Sequence, residues 1–209
     1  MTETVIATFL FAWLFKGYKW SEIFKLFKHW SIYPIVLTCL LHIYCVFLMI
    51  QGEYWFLEYA KEIKTISLLF YIILIYKYKL MDISIFNKIN MVKDNKLLVW
   101  VTSPFPVGAL CGFIGSKLNQ IAMFYNDGKM PVFPNVSIGT KYIKIDMFEK
   151  ASVFKDFHSL GNYTTNLIFL TDIFDFFYII MSVGDLLLRI FVVLVLYYSV
   201  KQCNSINNI

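Results

Sequence analysis

Five polar residues in the second half of the sequence could take part in acid–base or hydrogen-bonding chemistry: Asn119, Asn126, His158, Asp172 and Asp185. A histidine next to a carboxylate can act as a general base with an orienting partner. The sequence contains no G-x-S-x-G, H-E-x-x-H, P-loop or dinucleotide-binding motif that would indicate a reaction. His158 and the aspartates are therefore either a catalytic group or ordinary polar residues of a surface loop, and whether the chain is an enzyme stays open.

The two asparagines are seven residues apart, which places Asn119 and Asn126 on one face of a helix. Lys117 and Gln120 make the same stretch of sequence unusually polar. This pattern fits a binding site, and it fits equally well a helix that emerges into lipid headgroups, because polar side chains also serve as packing contacts between helices.

Three ionisable residues, one of them Asp185 again, lie inside apolar segments, where charged groups are costly and suggest function. For His42 we expect an interhelical hydrogen bond, with a proton relay or a ligand as the alternative. Asp185 and Arg189 are four residues apart and share a helix face. We expect a self-neutralising pair there, with a substrate-facing charge as the alternative.

The composition is that of a membrane protein. Hydrophobic residues make up 59% of the 209 residues and charged residues only 16%, whereas soluble domains carry roughly 25% charged residues. The net charge of +5 is the balance of 18 lysines and a single arginine against 14 acidic residues. The lysines border apolar segments, which argues against nucleic-acid binding. The four cysteines show no zinc-ligand spacing, so we predict no disulfide, no metal and no cofactor.

The apolar segments predict an all-α integral membrane protein with about five transmembrane helices, since a span needs roughly 20 residues. We predict one polytopic domain over residues 1–209, with an outer loop or cap at residues 126–183 and spans at about residues 2–18, 30–50, 64–78, 105–125 and 184–200. Residues 167–183 are apolar but contain two aspartates. They could form a sixth span, a re-entrant segment or an interfacial helix.

The lysines predict the orientation. Residues 16–29 and 77–96 are short lysine-rich segments, and such loops stay in the cytoplasm. The N-terminus is then outside and the C-terminus cytoplasmic, in a bacterial cell membrane. Residues 19–29 alternate lysines with aromatic and aliphatic residues, which fits a helix in the headgroup region as well as a solvated loop.

Small residues and prolines mark the fourth predicted span. Gly108, Gly112 and Ser116 form a small-residue face that would let another helix approach closely. Pro104 and Pro106 are expected to start this helix, although a discontinuous helix of the transporter type is the alternative.

Two sets of residues resemble the signature of a bacterial membrane-protein family known only as a domain of unknown function. The first set includes Asn119 and the run Asn126-Asp127-Gly128-Lys129-Met130-Pro131-Val132. The second set is His158-Ser159-Leu160, Phe169-Leu170-Thr171-Asp172 and Ser182-Val183-Gly184-Asp185. Asp127 and Thr171 stand where the family usually has glycine. The resemblance implies five spans and marks the outer polar cluster, with Gly128, Met130, Pro131, Ser182 and Gly184 as motif positions. It implies no reaction.

Three functions remain open from the sequence. The first is a non-enzymatic membrane component, with the lipid bilayer and a membrane-protein partner, a ligand or a second copy of the chain as its contacts. The second is a membrane-embedded enzyme that acts on a lipid or peptide at the outer leaflet. The third is a small transporter subunit.

Overall fold

The computed structural model describes residues 2–28, 30–77, 104–137, 147–148, 158–176 and 179–206. Most of the basic segment 77–96 and two parts of the predicted outer segment, residues 138–146 and 149–157, lie outside the described residues. The described part of the chain is mostly helical, with short strands between the last two helices.

Each of the five predicted spans contains a helix. The helices are α1 (Thr2–Lys16), α2 (Trp20–Ile23), α3 (Tyr33–Gln51), α4 (Ala60–Lys77), α5 (Pro104–Phe124) and α6 (Val183–Ile206). Short 3-10 segments cover Phe24–Lys28, Trp30–Ile32, Trp55–Tyr59 and Ile168–Leu170. The strands are β1 (Met130–Val132), β2 (His158–Leu160), β3 (Phe174–Asp175) and β4 (Ile180–Met181).

Two of these helices are long and apolar enough to cross a membrane, judged by length and composition among the described residues. They are Tyr33–Gln51 and Val183–Asn204. Only 11% of the apolar stretch of α3 is buried inside the protein, whereas 44% of the apolar stretch of α6 is buried. A shorter apolar helical stretch runs over Thr65–Ile75.

The prolines of the fourth predicted span start a helix. Pro104 is the first residue of α5, and Pro106 lies in the first turn. Neither costs an intrahelical hydrogen bond there, because the first backbone N–H groups of a helix have no partner within it. From residue 104 onward the helix is continuous to Phe124, and the residues just before it lie outside the described part of the chain.

The chain divides into two compact units, of which the first comprises Met1–Cys39, Ile66–Cys111 and Arg189–Ile209. Glu3 of α1 lies beside Arg189 of α6, and Phe11 of α1 contacts Tyr197 of α6. The two helices therefore run parallel. The core of this unit is mainly aliphatic and aromatic, with side chains from α1, α2, α3, α4, α6 and two of the 3-10 segments: Val5, Ala12, Ile23, Leu26, Ile32, Ile35, Tyr71, Leu74, Ile75, Phe191, Val192, Val195, Leu196, Val200 and Cys203.

The second unit comprises Leu40–Thr65 and Gly112–Leu188. Here α5 and α6 run antiparallel, because Gly115 faces Leu187 while Asn119, one turn later, bonds to Asp185 and Ser182. Strand β1 pairs in parallel with β2, and β3 pairs antiparallel with β4. A small apolar cluster of Ala122, Met130 and Leu170 lies at the end of α5.

The strands correct one expectation from the sequence and narrow a question that it left open. The fold is mostly helical rather than all-α, and residues 167–183 do not form a helical sixth span in the part that the structure describes. Leu167 has a left-handed backbone, with φ of 49°, and Ile168–Leu170 form a short 3-10 helix. Asp172 then forms a parallel bridge with Val132, which holds this residue in extended form despite the apolar composition around it.

Candidate functional site

Asn119 joins helix α5 to the start of helix α6. Its amide Nδ2 donates to Asp185 Oδ1 at 3.0 Å, and its Oδ1 accepts from the hydroxyl of Ser182 at 2.8 Å. The same Ser182 hydroxyl accepts the backbone N–H of Asp185 at 3.0 Å. Ser182 thus caps the N-terminus of α6 in the usual way for serine, and an acidic residue in the first turn is favoured by the helix dipole.

Two glycines allow this contact between helices. A Cβ atom added at Gly115 would lie 2.5 Å from the carbonyl oxygen of Gly184 and 2.9 Å from Leu187 Cβ. A Cβ atom at Gly184 would overlap the amide of Asn119. Both distances are shorter than van der Waals contact, so only glycine permits this approach.

The buried small residues of α5 recur every seven positions, at Gly108, Gly115 and Ala122. Of the small-residue face predicted from the sequence, Gly108 is buried and faces Leu194, whereas Gly112 and Ser116 are half-buried. Gly115 was not singled out from the sequence, although its seven-residue spacing from Gly108 was a signal that could have identified it.

Asn126 fastens the loop at residue 166 to the end of α5. Its Nδ2 donates to the carbonyl oxygens of Ala122 and Asn166, and its Oδ1 accepts the backbone N–H of Asn166 at 2.9 Å. The chain then turns sharply, because Asp127 and Gly128 have positive φ angles of 54° and 77°. Glycine adopts left-handed backbone most easily, and aspartate is one of the few other residues that also adopt it. Asp127 therefore has this conformation although it stands where the resembled family usually has glycine.

Strand β1 is the centre of the small β-structure. Met130, Pro131 and Val132 are all buried. On one side the strand pairs with β2, and on the other the backbone N–H of Asp172 donates to the Pro131 carbonyl at 3.0 Å. The motif residues Met130 and Pro131 therefore serve packing and backbone pairing.

His158 and Asp172 come together across this structure. His158 Nε2 lies 3.9 Å from Asp172 Oδ2, and 33% of the histidine side chain is exposed against 5% of the aspartate. These two atoms are farther apart than the atoms of a direct hydrogen bond. A histidine and a carboxylate are nevertheless the residue types, among those predicted, that can take part in proton transfer.

Asp175 is a polar anchor that sequence reasoning did not include among the site residues. Its Oδ2 accepts the backbone N–H groups of Asn135, Val136 and Ser137 and the Ser137 hydroxyl, all at 2.7–2.8 Å. Burial alone would raise the pKa of Asp175, but the hydrogen bonds from Ser137, Asn135 and Val136 outweigh it and lower the pKa below 3.8. The partners lie 38 to 40 residues away, so no local sequence pattern could connect them.

The contacts sort the five predicted residues into three groups. Asn119 and Asp185 join the helices with Ser182, Asn126 holds the loop at residue 166, and His158 lies against Asp172. Arg189 has partners on α1: it donates to Thr4 Oγ1 at 2.8 Å and lies 3.4 Å from Glu3 Oε2. His42 is half-buried on α3.

Residues 96–197 match a family of unknown function, DUF5317. The matched range contains α5, the strands, the three polar groups and most of α6, and it leaves out residues 1–95. Neither the curated proteins nor the solved structures contain a match to this chain.

Proposed function

We propose that this chain is a multi-pass cell-membrane protein with five spans, an outside N-terminus and a cytoplasmic C-terminus. The observation that carries the proposal is the exposure of α3. Leu37, Leu40, Ile43 and Phe47 of this helix are 52–66% exposed, although they are apolar. A helix that is apolar on its exposed faces favours lipid as its surroundings.

The helix directions support the same topology. α1 and α6 run parallel, which fits two spans that both enter from the outside. α5 and α6 run antiparallel, which fits an outward crossing followed by an outer segment and a return.

Within this topology we assign the chain a non-enzymatic role, as a membrane component whose outer segment, residues 126–183, binds a membrane-protein partner, a ligand or a second copy. Asn119 joins two helices through side-chain hydrogen bonds, and Asn126 and Asp175 bond to backbone groups of distant segments, which supports a structural role for most of the polar cluster. Tyr163 and Phe169 remain 96% and 62% exposed on the same segment, and exposed aromatic rings are typical of binding surfaces.

Cysteine labelling in intact bacteria tests the topology. Tyr163→Cys should react with a membrane-impermeant maleimide in intact cells, whereas Ser21→Cys should react only after permeabilisation. The unsubstituted chain is the control, because Cys45 and Cys203 are buried and the other two cysteines are half-buried. The opposite pattern, or equal labelling of both, would contradict the topology.

The binding role is tested by mild-detergent isolation from native membranes and mass measurement of the intact particle. A stoichiometric partner, ligand or second copy is expected, and Tyr163→Ala with Phe169→Ala should release it. Val136→Ala, an exposed truncation on the same unit, should not. A bare monomer from native membranes would argue against the role.

One observation favours an enzyme as the second candidate, namely the 3.9 Å approach of His158 to Asp172. In that function His158 is the general base and Asp172 orients it, and the substrate is a lipid or peptide at the outer leaflet. Incubation of the reconstituted chain with defined phospholipids and lipid mass analysis should then reveal a product that His158→Gln abolishes. Equal product with His158→Gln removes this candidate.

A further inference from the structure

A cluster of aromatic rings and lysines lies exposed at the end of α1, on α2 and on the 3-10 segment Phe24–Lys28. The rings of Trp13 and Trp20 have centroids 5.2 Å apart, and Phe24 lies 5.8 Å from Trp20. These three side chains are 38–55% exposed. Lys16, Lys19 and Lys28 are exposed on the same short segment. We call this set of residues the aromatic–lysine surface.

The opposite face of the same segment is packed into the core and hydrogen-bonded. Ile23 and Leu26 are 1% and 0% exposed and belong to the apolar core of the first unit. The backbone N–H of Lys19 donates to Glu22 Oε2 at 2.7 Å, which starts the helical turn. Asn204 near the end of α6 donates to the backbone carbonyl of Glu22 at 3.4 Å.

The charge of this segment has one sign. Residues 16–28 contain four lysines against the single acid Glu22, which leaves three net positive charges. The carboxylate of Glu22 already accepts the backbone N–H of Lys19. Exposed tryptophans beside lysines match the boundary of a bilayer, where rings enter the headgroup level and ammonium groups meet phosphates.

We propose that the aromatic–lysine surface binds the headgroups of anionic phospholipids, with the lysines on the phosphates and the tryptophans at the level of the glycerol groups. This inference rests on the proposed membrane function and adds lipid selectivity to it. A zwitterionic headgroup carries its own ammonium group and offers no net charge to the lysines. Binding of a soluble protein would not require the aromatic rings and the lysines of this surface to lie at the same level.

The test measures lipid selectivity of the full chain. The purified protein is reconstituted in phosphatidylcholine nanodiscs with a spin-labelled phosphatidylglycerol or a spin-labelled phosphatidylcholine, and the fraction of motionally restricted label gives the relative association constant. We expect phosphatidylglycerol to be preferred. Because a lysine at the surface contributes a factor of about five, Lys19→Gln with Lys28→Gln should remove most of that preference. High salt should weaken it as well.

The matched control is Lys19→Arg with Lys28→Arg, which keeps a positive charge at the same two exposed positions. It leaves the net charge unchanged and should leave the preference as it is. Equal selectivity in the glutamine variant and the original chain would overturn the inference, as would an equal loss in the control or no preference at all. A chain that alkaline carbonate strips from membranes would instead contradict the proposed function, so the two failures are distinguishable.

Discussion

At the scale of single residues, the polar side chains of the second unit replace missing backbone partners. Asn126 bonds to both the N–H and the carbonyl of Asn166, and Asp175 accepts three consecutive backbone N–H groups. Irregular segments need such partners because unpaired buried backbone groups are costly. Asp175 is therefore expected to hold the turn at residues 135–137 in place.

This role predicts a pH-dependent stability. The folded-state pKa of Asp175 is lowered from 3.8, so its contribution is full above that value and disappears as the pH falls through the lowered pKa. At neutral pH, Asp175→Asn should reduce the melting temperature by about 2–6 °C. The difference between the two proteins should shrink below about pH 4.

The control for this prediction is Ser137→Ala. It removes the hydroxyl donor but keeps the three backbone N–H donors to Asp175, so its effect should be smaller. Melting curves in detergent between neutral and acidic pH are the measurement. A melting difference for Asp175→Asn that does not change with pH would contradict the assigned role.

At the scale of elements, the packing of α5 on α6 depends on the absence of side chains. Gly115 and Gly184 bring the two backbones together, and Asn119 then reaches both Ser182 and Asp185. Close backbone approach through glycine is a common way for membrane helices to associate. The hydrogen bonds of Asn119 therefore depend on the close glycine contact between α5 and α6.

Gly184→Ala should destabilise the packing of α5 on α6. Alanine normally stabilises a helix relative to glycine by about 1 kcal/mol, but here the new Cβ overlaps the Asn119 amide. Overpacking of this kind costs about 1–3 kcal/mol, and we expect the melting temperature to fall by about 4–10 °C.

Gly108→Ala is the matched comparison on α5. Its Cβ would lie 3.4 Å from Leu194 Cδ1, the end of a flexible side chain, so it should change the melting temperature little or raise it. If both variants melt at the same temperature as the original chain, the glycine contact does not limit the packing of α5 on α6.

At the scale of the whole molecule, the distribution of exposed apolar side chains bears on whether water or lipid surrounds each part of the chain. Leu40 near the middle of α3 is 58% exposed, and Leu160 on β2 is 44% exposed. In water a lysine would be tolerated at both positions. In a membrane-spanning α3 only the first position is in hydrocarbon.

Leu40→Lys should therefore impair membrane insertion, because a lysine at the centre of a span costs about 2.5–3.5 kcal/mol. Leu160→Lys should have little effect, since the proposed topology places β2 in the outer segment. The measurement is the amount of folded chain in the membrane fraction after an alkaline wash. Equal recovery of both variants would argue that α3 does not cross the bilayer.

Composition and the length of the apolar segments were enough to locate the long helices. Helix hydrogen bonds are local, and a long apolar segment favours a helix both in a membrane and in a protein core. The turn at Asn126-Asp127-Gly128 was also recognisable, since left-handed positions favour these residue types. The orientation and the five crossings remain predictions.

Only the tertiary structure decided what the polar residues contact. β1 pairs with residues 28 positions further along the chain, and Asp175 bonds to residues 38 to 40 positions before it. Such pairings depend on where the rest of the chain folds, so a three-residue strand such as Met130–Val132 has no periodic signal of its own. For the same reason Asn119 and Asp185 stood out individually in the sequence. Their direct hydrogen bond, the bond of Asn119 to Ser182, and the two glycines that permit both required the structure.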